Sequence, residues 1–245
     1  LDQSYHHAFE ALKSAERENR KPSIISANCI LGDIFYGLRD FTTAAQHYRI
    51  GQLREGFSSL SLEGIENNLH LAHMLAWTNQ ISEAKELLGK NMALIEEKDI
   101  GHLYSLGLLV SGTCDFLENN ESSAEKKLRE AAQIAEGKGL PYELALTKIS
   151  LARLMLSKRE KNQAKKLLND VFAISQSKNM VWLTLYSLEL FKYLYGAENQ
   201  VDKRQEYQTA YDNLRKKIDD SIQSSALKAG LMHSKAAWET EIHFP

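Results

Sequence analysis

The sequence predicts an all-α solenoid of antiparallel helix hairpins with a period of about forty residues, and three observations carry that prediction. Alanine stands at 44, 84, 124 and 164 with no slip in register. Two more columns keep the same step: small residues at Gly32, Ala72, Gly112 and Ala152, and apolar ones at Ile34, Met74, Cys114 and Leu154. Three prolines and thirteen glycines in 245 residues are few, which favours long helices over turn-rich β-structure. Several columns sharing one period mark an internal repeat.

Each unit divides in the same way. Its first half, as in "IENNLHLAHMLAWT", spaces apolar residues as a helix does, and a short polar break follows ("LRD", "TNQ", "ENN", "KRE"). The second half, as in "SEAKELLGKNMALIEE", is again amphipathic and rich in good helix formers. Two helices of roughly 15–18 residues, about 25 Å each, make one hairpin. Small residues belong where helices cross closely, because a larger side chain forces the axes apart. The small column of the first helix and the alanine column of the second, twelve residues later, mark that crossing. Tyr48, Leu88, Leu128 and Leu168 follow the alanines by four. An identical crossing in every unit stacks the hairpins with constant rotation and leaves a concave side for binding.

Along the chain, residues 1–20 have the pattern of the second helix of a unit whose first helix is missing: Ser4 stands in the alanine column. With no initiator methionine, the chain is expected to be a piece of a longer protein. Residues 21–178 hold four repeats, and "GKGLP" ends one helix at Gly139 and opens the next at Pro141. Residues 179–245 carry a degenerate repeat and capping helices. The columns decay there to Lys192 and Arg204, yet "NMVWLTLYSLELFKYLYG" is a strong apolar helix. Tyr207, Tyr211, Leu214, Ile218 and Ile222 form a helical stripe, "SALKAGLMHSKAAW" is one more helix, and "TEIHFP" is a tail.

The small residue, the twelve-residue step to alanine and the bulky residue four beyond it resemble the tetratricopeptide repeat, over units centred on 25–58, 65–98, 105–138 and 145–178. Asn28, Asn68, Leu108 and Lys148 stand where that repeat has its usual tryptophan, the usual terminal proline is absent, and the period of forty exceeds the common thirty-four. Long units of this type are similar to those of large bacterial signal-transduction ATPases, MalT-like regulators and peptide-sensing regulators. The resemblance implies a right-handed superhelix whose first helices line the concave side.

Composition narrows function by exclusion. Thirty basic against thirty-two acidic residues give a formal charge of −2, without the electrostatic footprint of a nucleic-acid or anionic-membrane binder. No stretch of eighteen apolar residues occurs and the N-terminus is no signal peptide. Cys29 and Cys114 lack C-x-x-C spacing and read as thiols in a reducing, cytoplasmic setting. His70 and His73 lie one turn apart, but no H-E-x-x-H accompanies them, and "EGKGLP" is not a phosphate loop. No catalytic, cofactor or metal constellation emerges.

The implied groove is more informative. The face of each first helix turned from its partner carries Ser26, Cys29, Asp33 and Tyr36; then Glu66, Leu69, His73 and Trp77; then Leu106, Leu109, Thr113 and Phe116; then Leu146, Ile149, Arg153 and Leu156. From these the expected binding surface is Asp33, Tyr36, Glu66, His73, Trp77, Leu109, Thr113, Phe116 and Arg153, with Tyr36, Trp77 and Phe116 as an aromatic row. Trp77 stands one residue off the strict register, where Ala76 falls. The alternative is that long helices bury this face against neighbouring units.

The expected function is a non-enzymatic module that binds a protein or peptide, or an upstream domain of the same chain, as the regulatory or sensor part of a larger signalling or transcription-regulating protein. Direct nucleic-acid and membrane contacts are not expected; self-association is. A freestanding scaffold or co-chaperone-like adaptor is the alternative. An enzyme built on a helical repeat would have only His70, His73 and Glu66 as its nucleus.

Overall fold

The computed structural model describes residues 2–52, 61–98 and 100–229. Among them are eleven helices: α1 (Asp2–Arg17), α2 (Lys21–Gly37), α3 (Phe41–Gln52), α4 (Leu62–Trp77), α5 (Ile81–Glu97), α6 (Gly101–Leu117), α7 (Glu121–Gly137), α8 (Pro141–Ser157), α9 (Lys161–Ser177), α10 (Val181–Ala197) and α11 (Val201–Ser221). A short helical stretch follows at 225–229, and no strand occurs among the described residues. The expected tail "TEIHFP", and the expected last helix beyond residue 229, lie outside them.

A twenty-residue cadence underlies the forty-residue period. From α5 onward, helices start at 81, 101, 121, 141, 161, 181 and 201. The turns that keep this cadence are left-handed single residues: Asn19, Arg39, Asn79, Asn119, Gly139, Arg159, Asn179 and Asn199 all have φ between 50° and 65°. At α2 the Asp40 amide bonds the Phe35 carbonyl (2.9 Å) and the Arg39 amide bonds that of Tyr36 (2.8 Å). This is a Schellman closure, which satisfies carbonyls left orphaned at a helix end. The same pair recurs at Asn79–Gln80, Asn119–Asn120, Gly139–Leu140, Arg159–Glu160 and Asn199–Gln200.

The crossing columns are where the sequence pattern requires them. Ala44, Ala84, Ala124 and Ala164 are wholly buried, as are Ala72 and Ala152. A Cβ on Gly112 would stand 2.7 Å from Leu128 Cγ and 3.3 Å from the Ala124 carbonyl, and one on Gly32 would stand 2.7 Å from the Tyr48 ring. The small residue of the first helix therefore packs on the alanine and on the bulky residue four beyond it.

Polar clips occupy three of the four positions where the tetratricopeptide pattern has tryptophan. Buried Asn28 gives its Nδ2 to the Ile24 carbonyl (2.9 Å), which leaves Oδ1 to accept from His47 Nδ1 at 3.0 Å. Asn68 Nδ2 donates to Asn91 Oδ1 (3.1 Å), and Lys148 Nζ pairs with Asp170 (2.7 Å). Each ties the first helix of a hairpin to its second.

The residues form two compact units, and the boundary falls inside α6. The first holds residues up to Val110 together with described residues 221–229, where Ile222 and Leu227 are buried; the second holds Ser111–Asp220. In the first, α1 to α5 pack in sequence, with α1 on α2, α2 on α3, α3 on α4 and α4 on α5. In the second, α7 packs on α8, α8 on α9, and α9 and α8 on α10. Second helices of adjacent hairpins are also joined at the surface, by Arg49–Glu83 (2.8 Å) in the first unit and Arg129–Gln163 (3.2 Å) in the second.

Candidate protein-interaction surface

In the first unit the inner faces of α2 and α4 begin polar and become aromatic. Ser26, Asp33 and Glu66 are exposed, and Ile30 is 48% exposed between them in the sequence of α2. Asp33 accepts the Tyr48 hydroxyl at 2.6 Å, which fixes the carboxylate beside the hairpin crossing. Cys29 donates its thiol to Asn67 Oδ1 (3.0 Å), and Asn67 donates to the Tyr48 carbonyl (3.0 Å). Burial, and then the nearby Asp33 and Glu66 carboxylates, push the Cys29 thiol up to about 12. It is no nucleophile.

Toward the C-terminal ends of these helices the aromatic groups converge. Tyr36 and Trp77 are half-buried and His73 is buried. The Trp77 indole N–H donates to His73 Nε2 at 3.0 Å, so that nitrogen is unprotonated and the ring proton of the neutral imidazole sits on Nδ1. Ring centroids lie 5.9 Å apart for Tyr36–His73, 5.7 Å for Tyr36–Phe41 and 6.2 Å for Phe41–Trp77. The Arg39 guanidinium stands over Phe41 at 5.7 Å. Tyr36, His73 and Trp77 are thus brought together, as their spacing suggests, and Phe41 is the ring that joins them. Sequence reasoning passed over Phe41 because it opens a second helix; its signal is an aromatic at a position held elsewhere by Ile81, Glu121 and Lys161. The strict register residue Ala76 is only 1% exposed, so the off-register Trp77 takes the outer place. Leu109 is wholly buried. His70 stacks on Tyr48 (5.5 Å), so His70 and His73 engage different rings.

In the second unit Phe116 is half-buried at the end of α6, while Thr113, one turn earlier, is buried. Arg153 on α8 is buried and gives Nη1 to the Tyr186 hydroxyl on α10 at 2.5 Å. Glu189, one turn along α10, is buried too. Tyr186 and Glu189 stand forty residues beyond Leu146 and Ile149, so the same step carried into α10 finds them. Asp115 is buried, accepting Ser123 Oγ and Lys127 Nζ, both at 2.6 Å. Among the described residues no three His, Cys, Asp or Glu are grouped to hold a metal ion, and no helix is long and apolar enough to cross a membrane.

Against known proteins, the family model described as the Suppressor of spindle checkpoint defect 1 C-terminal domain matches residues 62–223. No curated protein matches the chain. Among solved structures it is similar to the Signal Transduction ATPase with Numerous Domains protein of Pyrococcus horikoshii, which has a tetratricopeptide repeat sensor. That match has 14% identity and a TM-score of 0.61, and covers 87% of this chain and 32% of the other, so the chain spans about a third of its length. BtubC (BKLC) from P. vanneervenii matches at 14% identity and TM-score 0.57, covering 91% of this chain and 94% of its own. The nearly identical TPR-like repeats of a Podosopora anserina protein described as a kinesin light chain match at 16% identity and TM-score 0.51, covering 90% and 100%. At these identities the likeness is one of fold: an all-α, tetratricopeptide-like solenoid of tandem hairpins.

Proposed function

We propose that this chain, which belongs to the family of the Suppressor of spindle checkpoint defect 1 C-terminal domain, is a non-enzymatic, cytoplasmic protein-binding module of a larger regulatory protein. The observation that carries this reading is the cluster of Tyr36, Phe41, His73 and Trp77, whose outer rings are half-buried. Aromatic groups held rigid by their neighbours and partly open to solvent are the usual anchors of protein recognition. Asp33 and Glu66, exposed on the same helices, give that surface an acidic margin. The family's description ties it to the spindle checkpoint, so the partner is sought among proteins controlling cell division. The repeat sensor of the Pyrococcus ATPase is a precedent for such a fold serving as the receiving part of a switch. Thr113, Phe116 and Arg153 would extend recognition within the second unit.

The test compares partners recovered by the wild-type chain with those recovered by Tyr36→Ala and Trp77→Ala, followed by affinity measurement with the purified partner. A hot-spot loss of about 2 kcal/mol weakens binding roughly thirtyfold. Undiminished affinity in both variants, with helicity intact, would place recognition elsewhere.

A further inference from the structure

The second helices of the complete hairpins bury one pattern. The alanine position is wholly buried at 44, 84, 124 and 164; the position seven later is buried at Asn91, Ala131 and Val171. Between them, His47, Leu87, Lys127 and Leu167 are half-buried. Helix α1 keeps the same register, yet its three residues at these positions, Ser4, His7 and Ala11, are all exposed. Its other register positions behave normally: Ala8 and Ala15 are buried, as Leu128 and Ala135 are. Steps of three and four place Ser4, His7 and Ala11 on one helical face.

Contacts in the complete hairpins show what that face meets. The alanine position touches the small residue of the first helix, as Ala124 does Gly112. The next meets its polar clip, as His47 does Asn28, and the third does so in Asn91 with Asn68. All three contacts reach the first helix of the same hairpin.

We propose that the Ser4–His7–Ala11 face of α1 is the receiving half of a hairpin interface, and that its occupant is a helix immediately N-terminal to Leu1 in the same polypeptide. The recurring contacts define that helix. It carries a glycine or alanine twelve residues before Ser4, as Gly32 precedes Ala44, and a hydrogen-bonding side chain four residues earlier, opposite His7, as Asn28 is opposite His47. A left-handed residue closes it two positions before Leu1, as Arg39 and Asn79 precede Phe41 and Ile81. This inference stands apart from the proposed recognition surface, since no residue is shared.

The test reads thiol reactivity at Ser4→Cys; the native Cys29 is half-buried and Cys114 buried. The control is Lys13→Cys, whose register partners Ala93, Gln133 and Ala173 stay exposed in complete hairpins. Each variant is labelled in the 245-residue chain and in the protein carrying everything its gene encodes upstream of Leu1. The expected result is at least tenfold slower labelling of Ser4→Cys in the longer protein, with Lys13→Cys unchanged. Equal rates at Ser4→Cys, or equal slowing at both positions, would overturn the proposal. So would protection in the 245-residue chain that grows with its concentration, which would assign the face to a second copy.

Discussion

At single residues, closeness of approach is the deciding quantity. A Cβ on Gly32 would press on the Tyr48 ring at 2.7 Å, and that ring is pinned by its hydroxyl's bond to Asp33. Gly112 faces Leu128, a flexible side chain, and the equivalent pairs Ala72–Leu88 and Ala152–Leu168 already accept a methyl group. Alanine gains about 1 kcal/mol of helix propensity at either site, whereas overpacking costs about 1–3 kcal/mol. Gly32→Ala is therefore expected to destabilise, and Gly112→Ala to be neutral or better, in paired urea titrations. Equal losses in both would refute the role given to the pinned ring.

His47 sets a pH dependence. Burial holds its pKa below the ordinary histidine value, against the opposing pull of Asp40. The ring stacks on Phe35 (5.4 Å) and donates from Nδ1 to Asn28. Above about pH 6.5 the ring is neutral folded or unfolded, and its full contribution is present. Below that, the unfolded chain takes up a proton that the folded one resists, so stability falls as pH drops through the folded pKa. His47→Gln should lose less stability than wild type between pH 7.5 and 5.5. Parallel losses would show that the ring does not titrate with folding.

At the scale of elements, the turns hold the cadence under strain in two places. Arg39 and Arg159 are left-handed without being glycine or asparagine, and Arg159 is exposed. A left-handed non-glycine residue costs about 1–2 kcal/mol, and glycine's extra unfolded-state entropy returns about 0.5–1 kcal/mol of that. Arg159→Gly should then stabilise by roughly 0.5–1 kcal/mol, read as a higher urea midpoint at unchanged slope. The surface bridges matter less: exposed pairs such as Arg49–Glu83 are worth at most about 1 kcal/mol.

The helices were legible because their determinants are local and repeated. Apolar spacing, small residues and polar breaks recur four times, and each recurrence restates the register. The turn geometry was half legible: Gly139 and the asparagines announce it, the two arginines do not, since bonds from the following amides impose it. At the surface, the sequence brought out Tyr36, His73 and Trp77, but which of them stays open depends on packing. Phe41 turns a row into a cluster, and burial of Leu109, Thr113 and Arg153 is decided by neighbours far away in sequence.

At the scale of the whole molecule, stability is a sum over neighbouring hairpins. Ala84 is wholly buried at a crossing in the first unit, so Ala84→Leu is expected to cost about 1–3 kcal/mol. In a tandem fold that loss should stay near its origin. Hydrogen exchange should quicken in α4 and α5 and leave α8 and α9 little changed. Uniform acceleration across all helices would mean that the chain unfolds as one cooperative body.

The twenty-residue cadence also governs how such a protein can change over generations. Because each turn is closed by one left-handed residue and the next helix starts at a fixed interval, inserting or losing a single residue rotates everything beyond it off its face. Removing residues 81–120 instead joins Gln80 to Glu121, two residues that already follow one another's pattern: an αL turn behind, an alanine ahead at Ala84 or Ala124. Length here is heritable in whole hairpins, and the gene has a natural unit of duplication and loss that its reading frame alone does not supply.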